Sequence, residues 1–280
     1  MRKLVSTHLF RRQRLGPAQL EALLQAGVEG IELFCARPSF DYQDRGQCAE
    51  IAAWLKQHPL ALHSMHSPIY ADEKEGRSGE PPINIADADP RARLHALDEV
   101  QRALEFSERV PFKYLVQHLG PSRLEWDLRM ADRALTSLEK IRLLAKQAGI
   151  AVLVENIPNG LSQPERLLAF LQQNHLDDIG ICFDSGHAHL PAEFFGGGGV
   201  LESWKVLGDR VASTHLHDNQ GAKDDHLWPG QGTIAWAEFA PLLAARGAEF
   251  PCLLEVGDHG DGRPLAERIR QAYQLLGDEA

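Results

Sequence analysis

The chain has 280 residues, 44% hydrophobic and 24% charged, with a formal net charge of −10. That length suits one large α/β domain, the charge opposes nucleic acid and anionic membranes as partners, and no apolar run approaches the roughly 18–20 residues of a membrane span. The N-terminal stretch MRKLVSTHLFRRQR holds too short an apolar run for a secretory signal, and the four cysteines form no CxxC pair, so a reduced, cytoplasmic setting is expected.

Short apolar runs recur in chain order: KLVSTHLF (3–10), GIELFC (30–35), LALHSMH (60–66), KYLVQHL (113–119), IAVLVEN (150–156), IGICFDS (179–185), VASTHLH (211–217) and PCLLEV (251–256). They are apolar on both faces, as buried parallel strands are. Between them lie helical patterns. PAQLEALLQAGV has Pro in its first turn and ends near a Gly; DPRARLHALDEVQRALEFSERV and DLRMADRALTSLEKIRLLAKQAG repeat apolar residues every three or four positions. SQPERLLAFLQQN, WAEFAPLLAARG and PLAERIRQAYQLLG complete the series.

Eight such runs predict a single-domain (β/α)8 TIM barrel spanning residues 1–280, with a doubly wound open sheet as the alternative. Neither the dinucleotide-binding glycine pattern nor a P-loop is present. GGGG (196–199) reads as a flexible loop after the sixth strand, with the composition of a lid.

In a TIM barrel the chemistry sits at the C-terminal strand ends. Those ends carry His66, His118, Glu155, Asp184 with His187 close behind, His215 with Asp224 and His226 in its loop, and Glu255. Any one of these has an ordinary reading as a hydrogen-bonded structural residue. Together, nine acids and imidazoles at one mouth would repel or stay unsatisfied without a cation. Mixed imidazole and carboxylate donors suit Zn2+, Mn2+, Fe2+ or Co2+, and they are too many for one tetrahedral zinc. The four carboxylates balance two divalent ions, and a third would favour an anionic substrate such as a phosphate.

The segments HSPIY, QHLG, ENIPNG, CFDSGHAH, HLHDNQGAKDDHLWPGQG and LLEV resemble the xylose isomerase-like TIM-barrel superfamily. It holds sugar and sugar-phosphate isomerases and epimerases together with the endonuclease IV family. The resemblance implies a metal held by Glu155, Asp184, His215 and Glu255. It also implies that Glu155 and Glu255 are catalytic, moving a proton on a carbon next to a carbonyl, and that His187 binds a substrate oxygen. The endonuclease IV relatives imply further ligands at His66, His118, His187, Asp224 and His226, hence one to three Zn2+ or Mn2+ ions.

Two features point to a small sugar or polyol, in free or phosphorylated form, rather than DNA. The loop after the second strand is not strongly basic, and the loop after the third carries four acids. An isomerase or epimerase is therefore the leading expectation. A zinc-cluster phosphoester hydrolase is the alternative, and a non-catalytic ligand-binding barrel the third. Lys223 or Arg11 of the RRQR cluster could grip the substrate, Trp228 could stack on a sugar face, and His217 could bind substrate or orient a ligand. His63 is expected to face away from His66 into packing. His8 and Glu32 could line the pocket floor or satisfy backbone groups, and Cys182 reads as a buried structural thiol.

Overall fold

In the computed structural model the described residues are 1–278, except 73, 78, 195 and 261. Eight parallel strands form one sheet, in the order β7-β6-β5-β4-β3-β2-β1-β8. They are β1 (Arg2–Ser6), β2 (Gly30–Phe34), β3 (Ala61–His66), β4 (Tyr114–Gln117), β5 (Ala151–Glu155), β6 (Gly180–Asp184), β7 (Val211–His215) and β8 (Pro251–Leu254). Leu216, just past β7, bridges in parallel to Leu254 of β8, which brings the two edges together and closes the barrel. No helix among the described residues is long and apolar enough to cross a membrane.

The helices are α1 (Pro17–Gln25), α2 (Arg45–Gln57), α3 (Pro90–Leu104), α4 (Leu128–Gln147), α5 (Pro164–Gln173), α6 (Ser185–His189), α7 (Val200–Leu207), α8 (Trp236–Ala244) and α9 (Leu265–Leu275). Their starts have local causes. Asp44, Asp89 and Asp127 accept hydrogen bonds from the first free amides of α2, α3 and α4, and Pro opens α1, α3 and α5. The outward faces of the strands and the inward faces of the helices form one large apolar core, including Ile31, Leu33, Leu138, Ile141, Leu171 and Phe239. A smaller cluster of Tyr114, Val116, Leu153 and Cys182 is separate from it and fills the barrel interior.

Several expectations are corrected. The first apolar run ends as a strand at Ser6, where the Ser6 hydroxyl accepts from the His8 amide and starts a 3-10 turn over Thr7–Phe10. Helices α2 and α7 are not among those expected from periodicity. The four glycines before α7 are not a loose flap. Gly197, Gly198 and Gly199 donate amide hydrogen bonds to carbonyls of His187, Leu190 and Ala188. A Cβ at Gly197 would lie 2.0 Å from the Ser203 hydroxyl, so glycine here permits close approach.

The register also shifts between Ile31 and Glu32 where β2 meets β3, so that His63 is the extra residue. His63 consequently reaches inward, with Nε2 3.3 Å from Ser213 Oγ on β7, four places away in the barrel. Period-two reading places it on the other face; the bulge overrides it.

Candidate metal centre

The strand ends deliver their side chains to one rim. His66, Glu155, Asp184 and His215 are the last residues of β3, β5, β6 and β7, while His118 and Glu255 follow β4 and β8 directly. Asp184 also caps α6, its Oδ1 accepting from the His187 amide at 2.6 Å, which fixes His187 beside it. The loop after β7 is shaped by buried Asp218. Its main chain pairs both ways with Leu227 at 2.8 Å, and its carboxylate accepts from Gly230 N, Ile234 N and Trp236 Nε1. That clamp carries Asp224 and His226 back over the mouth. His226 has φ of +48°, a left-handed conformation that costs free energy for a non-glycine residue and is characteristic of functional sites.

Three overlapping donor groups result. His66 Nε2, His118 Nε2 and Glu155 Oε2 lie 3.2–3.5 Å apart. Tetrahedral donors at metal distances of about 2.0–2.2 Å sit on the order of 3.4 Å from one another, so the spacing fits a shared ion. In the second group Glu155, Asp184 and His215 converge, and His215 Nδ1 is 3.3 Å from Glu155 Oε2 and 3.4 Å from Glu255 Oε2. In the third, Asp224 Oδ2 lies 3.2 Å from His187 Nε2 and 3.1 Å from His226 Nε2. Glu155 links all three, because its Oε1 is 3.0 Å from His187 Nδ1.

Hydrogen bonds behind the donors set which nitrogen faces the site. His66 Nδ1 donates to the Ser67 carbonyl at 2.7 Å and His226 Nδ1 to the Glu255 carbonyl at 2.9 Å, leaving both Nε2 atoms free. For His215 the order is reversed. Its Nε2 meets Glu32, whose carboxylate is fully buried and also accepts from Ser6 and Ser64. His215 therefore presents Nδ1 inward. The sequence names Glu32 as a floor or backbone-pairing residue; its carboxylate instead pairs with Nε2 of the candidate ligand His215, and it groups with His215 and Glu255 closely enough to share an ion.

His187 Nδ1, His215 Nδ1 and Glu255 Oε1 are buried with no hydrogen-bond partner of acceptable geometry. Buried polar atoms rarely stay so unless an unseen ligand takes them. Charge agrees. Burial raises the Glu155 carboxyl, but the charges of His118 and His215 and the hydrogen bond from His118 outweigh it and hold it well below the usual range. Burial dominates at Glu255 and leaves it raised. Burial would depress His226, but the charge and hydrogen bond of Asp224 push it up to about 9. These donors fit a divalent cation, which would replace the protons that the imidazoles now hold.

The sequence decides the family. Residues 20–278 match the model of the xylose isomerase-like TIM barrel. The chain belongs to that family. It is 24% identical over 248 residues to fructoselysine 3-epimerase of Escherichia coli O157:H7, covering 83% of this chain and 82% of that one. Among solved structures it resembles a D-tagatose 3-epimerase-like protein (22% identity, TM-score 0.73, 99% and 96% of the two chains). It also resembles the IOLI protein with a bound zinc atom (17% identity, TM-score 0.75, 99% and 97%). At these identities the structural likeness is one of fold.

In this xylose isomerase-like barrel the donors open onto a cavity of about 290 Å3, lined by His66, His118, Glu155, His187, Asp224, His226 and Glu255 and walled by Arg11, Phe34 and Tyr70. A larger hollow of about 720 Å3, lined by Tyr42, Arg45, Arg102 and Arg109, contains none of the candidate ligands.

The expected substrate contacts divide. Arg11 and His187 line the cavity of the candidate ligands. Lys223 does not: it is exposed and paired with Asp225 at 2.8 Å. Trp228 is also withdrawn, 3% exposed and covered by the Arg268 guanidinium 4.9 Å from its ring centre. It anchors the loop rather than offering a face to a sugar.

His217 is fully buried among the donors. Its Nε2 is 3.0 Å from Asp184 Oδ2, and its ring stacks on His226 with centroids 4.0 Å apart. Gly186 makes room for it, since a Cβ there would lie 1.9 Å from the ring. Among the described residues His217 also groups with Asp224 and His226, close enough to share an ion. Cys182 lies inside the apolar interior cluster, and burial raises its thiol pKa, as a structural role requires.

Proposed function

We propose that this chain is a divalent-metal-dependent epimerase or isomerase of a sugar or polyol-derived ketose, moving a proton on a carbon next to a carbonyl. The observation that carries this reading is the pairing of Glu155 and Glu255. They come from strands three places apart around the barrel, approach the same nitrogen of His215 at 3.3 and 3.4 Å, and have pKa values displaced in opposite directions. Two carboxyls pushed apart in this way suit a base and an acid.

Glu155, Asp184, His215 and Glu255 are the residues that would hold the principal ion, with Zn2+ and Mn2+ matching the donors. Bound there, a divalent ion supplies Lewis-acid polarisation that acidifies the carbon next to a carbonyl. In this reading Glu155 removes the proton from one face of that carbon. Glu255 returns one from the other. His187 holds a substrate oxygen, and Arg11 closes the cavity wall. The sugar epimerases among the chain's relatives support the substrate class. The four free, buried cysteines support a reducing, cytoplasmic setting.

The test is incubation of the metal-loaded protein with ketoses in deuterium oxide. Incorporation of deuterium next to the carbonyl is expected. Its absence across ketohexoses, ketopentoses and inososes, with release of phosphate esters from model diesters instead, would overturn the reading.

A second reading, metal-assisted phosphoester hydrolysis, is favoured by one specific observation. His66 and His118 beside Glu155, and His187 and His226 beside Asp224, supply donors beyond the principal four. Two or three zinc ions per chain together with diesterase activity would favour it.

A further inference from the structure

A second hollow of about 410 Å3 lies beside the cavity of the candidate donors. Arg11, Phe34, Ile69 and Tyr70 form the wall the two share. The second hollow adds Arg12 and Arg77, with Glu75 as the acid on its lining. Three guanidinium groups against one carboxylate leave it strongly positive, in a chain whose overall charge is −10. Like charges gathered around one hollow repel unless an anion enters.

Arg11 is aimed rather than merely present. Its Nη1 is 3.0 Å from His8 Nε2, and His8 Nδ1 is 3.2 Å from the Val256 carbonyl. A carbonyl only accepts, so the His8 proton sits on Nδ1 and Nε2 accepts from Arg11. The His8 ring also lies 4.4 Å from that of His226, which ties the arginine to the metal rim.

We propose that this hollow is a subsite for an oxyanion, a phosphate monoester or a carboxylate, carried by the substrate several atoms from its reacting carbon. Arg11 stands at the junction, Arg12 and Arg77 complete the clamp, and His8 is a positioning residue for Arg11. The inference rests on the reading of the metal cavity as the sugar site, and it narrows the substrate class to acidic or phosphorylated sugars. Guanidinium groups suit this task because their forked donors match both oxyanions.

Calorimetric binding to the metal-loaded protein tests it, with three probes: a neutral ketohexose, its terminal phosphate ester, and the corresponding terminal carboxylate. At low salt an anionic probe is expected to bind at least about tenfold tighter than the neutral one. That ratio should collapse towards one in the Arg12→Gln/Arg77→Gln double variant and return in Arg12→Lys/Arg77→Lys. A preference confined to the phosphate ester assigns a phosphate subsite, and one shared by both anions assigns a general oxyanion subsite. Equal affinities in the native protein, or a preference that survives in the double glutamine variant, overturn the proposal; the latter would place the anion on the metal instead. Turnover is not the readout. Arginine-dependent anion preference without deuterium exchange would remove the epimerase reading and leave the subsite, and exchange without preference would do the reverse.

Discussion

Two layers of one barrel interior differ by a single step along the strands. On β5, Leu153 is followed on the same face by Glu155, and on β6, Cys182 is followed by Asp184. On β4 the face runs Tyr114, Val116, and then His118 just past the strand end. The lower layer is mostly apolar, with the His63–Ser213 contact beside it, while the upper layer is built almost entirely of acids and imidazoles. Backbone geometry is the same in both, since alternation by two carries each side chain to the same face. What changes is the requirement for company: an apolar side chain is satisfied by contact, whereas a buried carboxylate needs protons or a cation. The lower layer makes the barrel, and the upper one makes it depend on what it binds.

Breaking the upper layer at its hub should have the largest effect. Glu155→Gln removes the carboxylate that two donor groups share and that touches His187 of the third, and turnover should fall by about 10²–10⁴ with the circular dichroism spectrum unchanged. Retained turnover would remove Glu155 from the chemistry. The matching cut in the lower layer is Leu153→Ala, on a side chain 1% exposed. It should lower unfolding free energy in urea by about 2–5 kcal/mol while metal stoichiometry stays that of the native chain. A large loss of metal with little loss of stability would merge the two layers into one.

Finer changes sharpen the contrast. Glu32→Gln leaves the donors intact but weakens the group that sets the His215 tautomer, so metal affinity should drop by about 10–100-fold in a competition assay with a chelator. The smallest effect is one of pH. His226 is raised to about 9 in the folded chain, above its unfolded value. Its stabilising contribution is therefore complete below an unfolded value of about 6.5 and lost as pH rises through about 9. The metal-free protein should lose melting temperature over that window. The metal-loaded protein should lose less or gain, because fewer protons then compete for the imidazoles. Parallel profiles for the two forms would contradict this.

The rim was legible in the sequence because each candidate ligand falls at or just beyond the end of a short apolar run that reads as a buried strand. His66, His118, Glu155, Asp184, His215 and Glu255 needed no more than that. Other parts were hidden for separate physical reasons. Glu32 lies inside a strand, and only the barrel's closure brings it to His215 from 183 residues away. His63 was turned by a bulge that no spacing rule reveals. Asp218 looks like another candidate ligand, yet its carboxylate is spent on the loop's own amides and Trp236. Trp228 and Lys223 sit in the most distinctive stretch of the chain, but the loop turns one inward onto Arg268 and the other out towards Asp225. The helix α7 was masked by four glycines whose composition suggests mobility and whose packing depends on closeness to α6.

The central claim is that side chains from separate strand ends hold a divalent ion at one rim. Crystals grown with manganese, with diffraction recorded on both sides of the manganese absorption edge, test it most directly. An anomalous peak among Glu155, Asp184, His215 and Glu255 is expected, and it should be lost in Asp184→Ala. A map with no peak there, or with manganese bound only elsewhere on the chain, would contradict the account.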